Sequence, residues 1–364
     1  MKRGTIFIVL FLVIAAAIVG ASTFLRAQPP VGVRIAVHPL AADWVRAAAG
    51  RFNAGEPVVN GTTRIVVNIE PIDDLAVWNA NAPWTASNHP DGWIPALAAS
   101  VDYAAASRIS FTTVVPSVGQ SMLLWGGFTG EVNAITENGT RTFDWSALQT
   151  NIGTVNPALP HPTRTVQGLA VLLSAAAHYA ETEFLDAALL GDDFRQWVRP
   201  ILEAVPNYNT LGSSPAQTLA ARGPSAGGVA LLPETEWITS LTGFNASQTD
   251  PIRLNYPLYN VLFDFPLARW NGLNDAGSPQ DLNSAAIAAG VDAFGAFLMS
   301  DAERANAEAE GLRTGIIQPP TADVFVNAQR YGAVNMPDLS HPVQLPERND
   351  LRAFIEWARS VVGS

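Results

Sequence analysis

The sequence predicts an α/β protein folded as two lobes, and three observations lead there. The chain opens strand, helix, strand, an order that builds a parallel sheet covered by helices. Its 364 residues exceed the size at which one hydrophobic core keeps growing. Two strand-like runs, 109–115 and 121–125, are separated by Pro116-Ser117-Val118-Gly119, a break that suits a crossing between lobes. With 48% hydrophobic and 15% charged residues, the chain can bury what it needs to fold.

Each element follows from local pattern. Val33 to Val37 reads as a strand, and Leu40, Trp44, Ala47, Ala48 and Phe52 recur at helical spacing up to the stop at Gly55. Arg64 to Ile69 is the second strand. A Trp-rich irregular stretch with Trp78, Trp84 and Trp93 ends in the short strand 92–94. Beyond the crossing, helices are expected at 169–179, 184–188, 193–204 and 215–222, followed by the buried strand 229–232. Glu234 and Glu236 are read as alternating along the end of that strand, and Asp73-Asp74 as a solvated turn. Strand-like stretches at 254–259 and 264–268 precede a helical pair at 292–299 and 301–310. Ser300-Asp301-Ala302-Glu303 forms a capping box there and Gly311 the matching stop.

Composition excludes several functions. The net charge of −11 falls by three to −14 once Lys2, Arg3 and Arg26 are set aside with the N-terminal segment. No basic run remains for nucleic acid or an anionic membrane surface. The only lysine is Lys2, which removes Schiff-base chemistry and a P-loop lysine from the folded part. The chain has no cysteine, hence no disulfide, thiolate nucleophile or lipid-anchoring cysteine. The uncharged stretch from Thr5 to Leu25 comes directly after Lys2-Arg3-Gly4, so residues 1–30 are a signal peptide or a membrane-spanning anchor that exports the rest of the chain. Val19-Gly20-Ala21 leaves cleavage open.

Seven stretches in order resemble a known family: the exported leader with "VRIAVHPLAADWVRAAAGRFN"; "TTVVPSVGQSMLLWG"; "FDWSALQTNIG"; "LPHPTRTVQGLAVLLS"; "GGVALLPETEW"; "LNYPLYNVLFDFPLARW"; and "AFGAFLMSDAERANAEAEGLRT". Together they are similar to the extracellular solute-binding proteins of bacterial ABC importers with the type 2 periplasmic binding fold. They resemble in particular the branch near the molybdate- and sulfate-type binders that occurs with von Willebrand A-type partners. The resemblance implies residues 31–115 as the first part of lobe I, 116–240 as lobe II, and 241–364 as the return to lobe I with C-terminal helices. It also implies a small polar solute held between the lobes and a membrane permease as partner, with no enzymatic activity and no cofactor.

The same resemblance brings Thr163, Arg164, Thr165, Gln167 and Gly168 to the cleft, where a helix start offers free N–H groups to a ligand. A plain N-cap at Thr163 or Thr165 accounts for the same residues without a ligand. His38 joins Thr163, Thr165 and Gln167 as a leading contact; Trp93, Ser117, Glu234 and Tyr256 are further candidates. Where the oxyanion binders carry small hydroxyl residues after the first strand, this chain has Val37-His38-Pro39-Leu40, so oxyanion specificity does not carry over. His38, His89 and His161 with Glu234 are zinc-binding residue types, but no local spacing joins them and no metal is expected. Gly223-Pro224-Ser225-Ala226-Gly227 matches G-x-S-x-G, yet a nucleophile elbow needs a strand before the serine and a helix after it, the reverse of the order here. Besides transport, a membrane-anchored adaptor docking a von Willebrand A-type protein and, third, an exported hydrolase fit the chain.

Overall fold

The computed structural model describes residues 10–15, 29–78, 84–85, 88–105, 109–212, 214–247, 251–273, 282–315 and 318–363. Of the apolar N-terminal segment only 10–15, an exposed helical piece, falls within them; the rest of the expected leader lies outside the described residues. Among the described residues no single helix is long and apolar enough to cross a membrane.

The first lobe begins with β1 (Val31–Val37), α1 (Pro39–Ala54), the short β2 (Val58–Val59) and β3 (Thr63–Pro71). β1 and β3 pair in parallel, Val31 opposite Ile65, as the strand-helix-strand opening predicts. α1 buries Ala41, Trp44, Val45, Ala48 and Phe52 along one stripe. Then come α2 (Asp74–Trp78), β4 (Gly92–Ile94), α3 (Ala99–Ala105) and β5 (Phe111–Val115). Residues 116–120 cross to the second lobe.

That lobe contains β6 (Ser121–Phe128), α4 (Thr129–Ile135), α5 (Trp145–Thr150), β7 (Pro157–Ala158), α6 (Val166–Ala180), α7 (Asp192–Glu203), α8 (Pro215–Arg222), β8 (Val229–Pro233), α9 (Glu234–Ser247), β9 (Ile252–Asn255), β10 (Tyr259–Asn260) and β11 (Leu262–Phe263). β6 lies at its centre, buried throughout, between β11 and β8, with β9 pairing it as well. Trp125 and Leu123 on one side join the core that runs under α6; Leu124 on the other joins a second cluster with Trp237 and Phe244 of α9.

The chain returns through 264–266. β12 (Leu267–Trp270) enters antiparallel between β4 and β5, giving a first sheet of order β2-β3-β1-β4-β12-β5. α10 (Leu282–Leu298) packs on β1 and α11 (Asp301–Ala309) on α1. Ser300 caps α11 by accepting from the Glu303 amide, the capping box read from the sequence. A third crossing comes next, where the backbones of Gln120 and Arg313 exchange hydrogen bonds of 2.7 and 2.8 Å. α12 (Asp323–Ala328) then packs on α9, β13 (His341–Pro342) pairs with β10, and α13 (Arg348–Val362) lies on α7. The C-terminal elements thus pack on α9, β10 and α7, with Pro346 accepting from the Tyr103 hydroxyl, while β12, α10 and α11 rejoin the side of the first sheet.

Four local expectations are corrected. The helix expected at 184–188 is a 3₁₀ turn at Ala187–Leu190, started by the Asp186 carboxylate accepting from Ala188 N–H. The strand expected over 254–259 is interrupted at Tyr256-Pro257-Leu258, where proline has no N–H to pair. The helix expected from 292 starts at Leu282, its first half an alanine-rich run. Glu234 and Glu236 stand in the first turn of α9 rather than at a strand end, because β8 passes into the helix without an intervening loop.

Candidate functional site

The start of α6 sets the geometry. Its N-cap, Thr165, lets its hydroxyl accept from the Gly168 amide at 3.1 Å. Gly168 lies so close to the backbone at Pro160 and His161 that a Cβ there would clash with the His161 carbonyl oxygen, which fixes glycine at this place. The first-turn amide of Val166 is not left to solvent: both oxygens of Asp73, from the first lobe, accept from it at 3.2 Å. Asp73 also accepts from Leu75 N–H at 2.9 Å and is reached by the buried His38 ring at 3.3 Å. His38 caps α1 through Nδ1, which accepts from Leu40 N–H at 3.2 Å, so Nε2 carries the proton that faces Asp73. A carboxylate of one lobe thus closes a helix start of the other. Its neighbour Asp74 is fully buried, held by the Ala96 and Leu97 amides and the Ser100 hydroxyl, and desolvation lifts its pKa to about 6. The Asp73-Asp74 pair is therefore not the solvated turn expected from its charges.

Beside this contact lies a cavity of about 330 Å³ walled by Asp73, His161, Arg164, Thr165, Gln167 and Glu236. A second hollow of about 210 Å³ continues it, sharing Pro39, Gln167 and Glu236 and adding Asp43, Gln217 and Glu310. Together they form a polar cleft between α1 of the first lobe and the starts of α6, α8 and α9 of the second. Glu236 Oε2 and Gln167 Oε1 are shut away from solvent with no hydrogen-bond partner among the described residues. Burial pushes the Glu236 carboxyl up to about 8, against a smaller opposing pull from the Ala216 amide. Burial, assisted by Arg164, lowers His161, so its ring is neutral near pH 7. Arg164 itself donates to Asn209 Oδ1 at 2.7 Å.

No protein-family model and no curated protein sequence matches this chain. Solved structures do. The ferric binding protein from Campylobacter jejuni superposes with a TM-score of 0.56 at 11% identity over 91% of this chain and 98% of its own. The chain has the two-lobed fold of the periplasmic solute-binding proteins. The sulfate-binding protein SubI from Mycobacterium tuberculosis H37Rv matches this solute-binding fold with a TM-score of 0.50, 13% identity, and coverage of 88% and 96%. An ABC transporter solute-binding protein from Thermotoga lettingae, bound with alpha-D-tagatose, gives 0.54 at 12% identity, covering 91% and 93%.

Within this fold, three of the residues that the resemblance brings to the cleft, Arg164, Thr165 and Gln167, line it. His38 stands behind Asp73, and Thr163 turns its hydroxyl to the His161 ring. Trp93 is buried in the middle of the first sheet, edge-on to Trp84 at 5.2 Å. Ser117 donates to Gly119 O within the first crossing. Glu234 and Tyr256 meet each other rather than the cleft: Glu234 is a fully buried partner of Arg313, and Tyr256 donates its hydroxyl to the same carboxylate. His89, at the far side, sits against Trp270, so the four zinc-type residues occupy separate surroundings. Ser225 donates to Arg222 O in the 3₁₀ turn Gly223–Ser225, with helix before and strand after. Asp73, Asp43, Glu236 and Glu310 were not legible as cleft residues; a two-residue offset from Glu234 along a helix was the only signal for Glu236, and it depended on placing the helix start correctly.

Proposed function

We propose that the protein is a non-enzymatic, extracytoplasmic solute-binding protein that closes two lobes on a small polar ligand and delivers it to the permease of an ABC-type importer. The observation that supports this most is a polar cleft walled by both lobes, lined by Asp43 and Asp73 from the first and by Arg164, Thr165, Gln167, Gln217 and Glu236 from the second. The solved neighbours carry different solutes, by their descriptions sulfate, iron and a sugar, so the fold leaves the ligand to be decided by the side chains of this cleft. The N-terminal apolar segment serves in this reading as the export leader or anchor. Docking to a von Willebrand A-type partner remains a proposal carried by the sequence resemblance.

A thermal-shift panel on the full chain tests the reading. A solute present at about a hundred times its dissociation constant adds about 2.7 kcal/mol of stability, a clear rise in melting temperature. Loss of that rise in Gln167→Leu assigns the solute to the cleft; a rise that Gln167→Leu leaves intact speaks against it.

A further inference from the structure

Three donors from three elements converge on the Asp73 carboxylate, and one of them belongs to the other lobe. Leu75 N–H, at the start of α2, donates at 2.9 Å; His38 Nε2, just past β1, lies at 3.3 Å; Val166 N–H, at the start of α6, meets both oxygens at 3.2 Å. The positive end of the 15-residue α6 favours a negative charge at this place. The first-lobe side of the joint is fixed. His38 is fully buried, its N–H donates to Ile94 O at 2.8 Å, and its Nδ1 caps α1.

The same histidine touches one of the crossings between the lobes. Its ring centre lies 6.3 Å from that of Phe265, in the return segment 264–266. Phe265 has a φ of +38°, a left-handed conformation that a bulky residue keeps only where its surroundings hold it. They do so here: its N–H donates to Ala96 O at 3.3 Å, and its carbonyl accepts from Val118 N–H, in the first crossing, at 3.0 Å. The Asp264 carboxylate beside it accepts from Ala98 N–H at 2.8 Å. A strained residue in a crossing is a place where backbone angles can change when lobes part. One chain of contacts thus runs from the crossing through His38 and Asp73 to a helix start of the second lobe.

We propose that Asp73 is an interlobe latch: its carboxylate, held by His38, keeps the lobes together at α6 with no solute bound, and without it they part about the crossings. A solute shifts such an equilibrium only by its preference for the closed form, so a latch that already favours closure leaves less for the solute to supply. Asp73 is on this account a positioning residue, whatever the cleft holds.

Spin-label distances on the full chain read the latch directly. The native chain has no cysteine, so Ala47→Cys on α1 and Ala221→Cys on α8, both at exposed positions, give a single labelled pair. These helices line one hollow of the cleft from opposite lobes. Without solute, the pair in the otherwise native chain should show one narrow distance. Adding Asp73→Ala should lengthen it by more than about 2 Å and broaden it. Asp73→Asn, which keeps one acceptor oxygen, should give a mixture of the two, and it decides the matter alone if Asp73→Ala does not fold. Ser300→Ala removes the cap of α11, away from the cleft, and should leave the distance unchanged. The latch is overturned if the Asp73 variants keep the native distance, if the native chain is already as long and broad as they are, or if Ser300→Ala lengthens it equally. No solute enters the measurement, so its failure leaves the solute-binding reading standing, and failure of the solute panel leaves the latch standing.

Discussion

Glu234 and Glu236 stand two residues apart in the first turn of α9 and meet opposite fates. A helix turns about 200° between them, so one carboxylate points into the lobe and the other into the cleft. Glu234 is fully buried and fully matched. Arg313 donates to it through Nε at 2.7 Å and Nη2 at 2.8 Å, Tyr256 adds its hydroxyl, and Nη2 and Nη1 also donate to the carbonyls of Val334 and Asn335. Phe325 covers the guanidinium face with its ring centre 5.1 Å from Cζ. Glu236 has an oxygen with no donor. The difference separates framework from site. A buried ion pair matched inside the chain pins the third crossing to the second lobe, whereas Glu236 has no such partner and lines the cleft.

Breaking the matched side should have the largest effect. Arg313→Met leaves Glu234 buried without its counter-ion, and urea unfolding should show a loss of about 3 to 5 kcal/mol, most of which returns in the double variant Glu234→Leu/Arg313→Met. A single-variant loss below about 1 kcal/mol would mean the pair is not sealed from water. Next is Gly168→Ala, where the added methyl meets the His161 carbonyl; a cost of about 1 to 3 kcal/mol is expected, together with weaker solute binding as the α6 start is pushed off the cleft.

The open side is sharpened by pH. Glu236 is raised from 4.5 to about 8 in the folded chain, so the native state holds a proton that the unfolded chain has released. Its contribution is fully present below about pH 4.5 and is lost as pH climbs to about 8. The stability difference between wild type and Glu236→Gln should therefore move against the wild type across that window, by about 1 to 2 kcal/mol allowing for water at the cleft mouth. A difference that is flat with pH would place Glu236 in ordinary solvent. The smallest effect is Thr165→Ala, which removes the cap of α6 at a cost of about 1 kcal/mol in thermal unfolding.

What the sequence disclosed divides along the same line. The parallel β1–β3 pairing, the stripe of α1, the capping box at Ser300 and the cap at Thr165 are local patterns, and local patterns can be read from a chain. Gln167 was legible as well, being two residues past a cap. Arg313 was not, because its partner lies 79 residues away and nothing near either residue announces the other. Asp73-Asp74 looked solvated since two adjacent carboxylates usually are; here amides from 96, 97 and 166 take them up, which only the assembled fold supplies. Glu236 was hidden along with the start of α9: Pro233-Glu234-Thr235 has no N-cap residue ahead of it to mark where the strand ends. Trp93 was read as a further candidate contact, but its neighbours Trp84 and Phe111 make it part of the first sheet's core.

The most direct test of a solute held between the lobes is amide hydrogen exchange on the full chain with and without whichever solute of the panel raises the melting temperature. Slower exchange confined to the cleft walls of both lobes, 40–44 and 73–75 of the first and 164–168, 214–217 and 235–240 of the second, with the Arg313 region unchanged, is the predicted result. Protection at the Arg313 cluster or elsewhere, with these segments unaffected, would contradict a solute bound between the lobes.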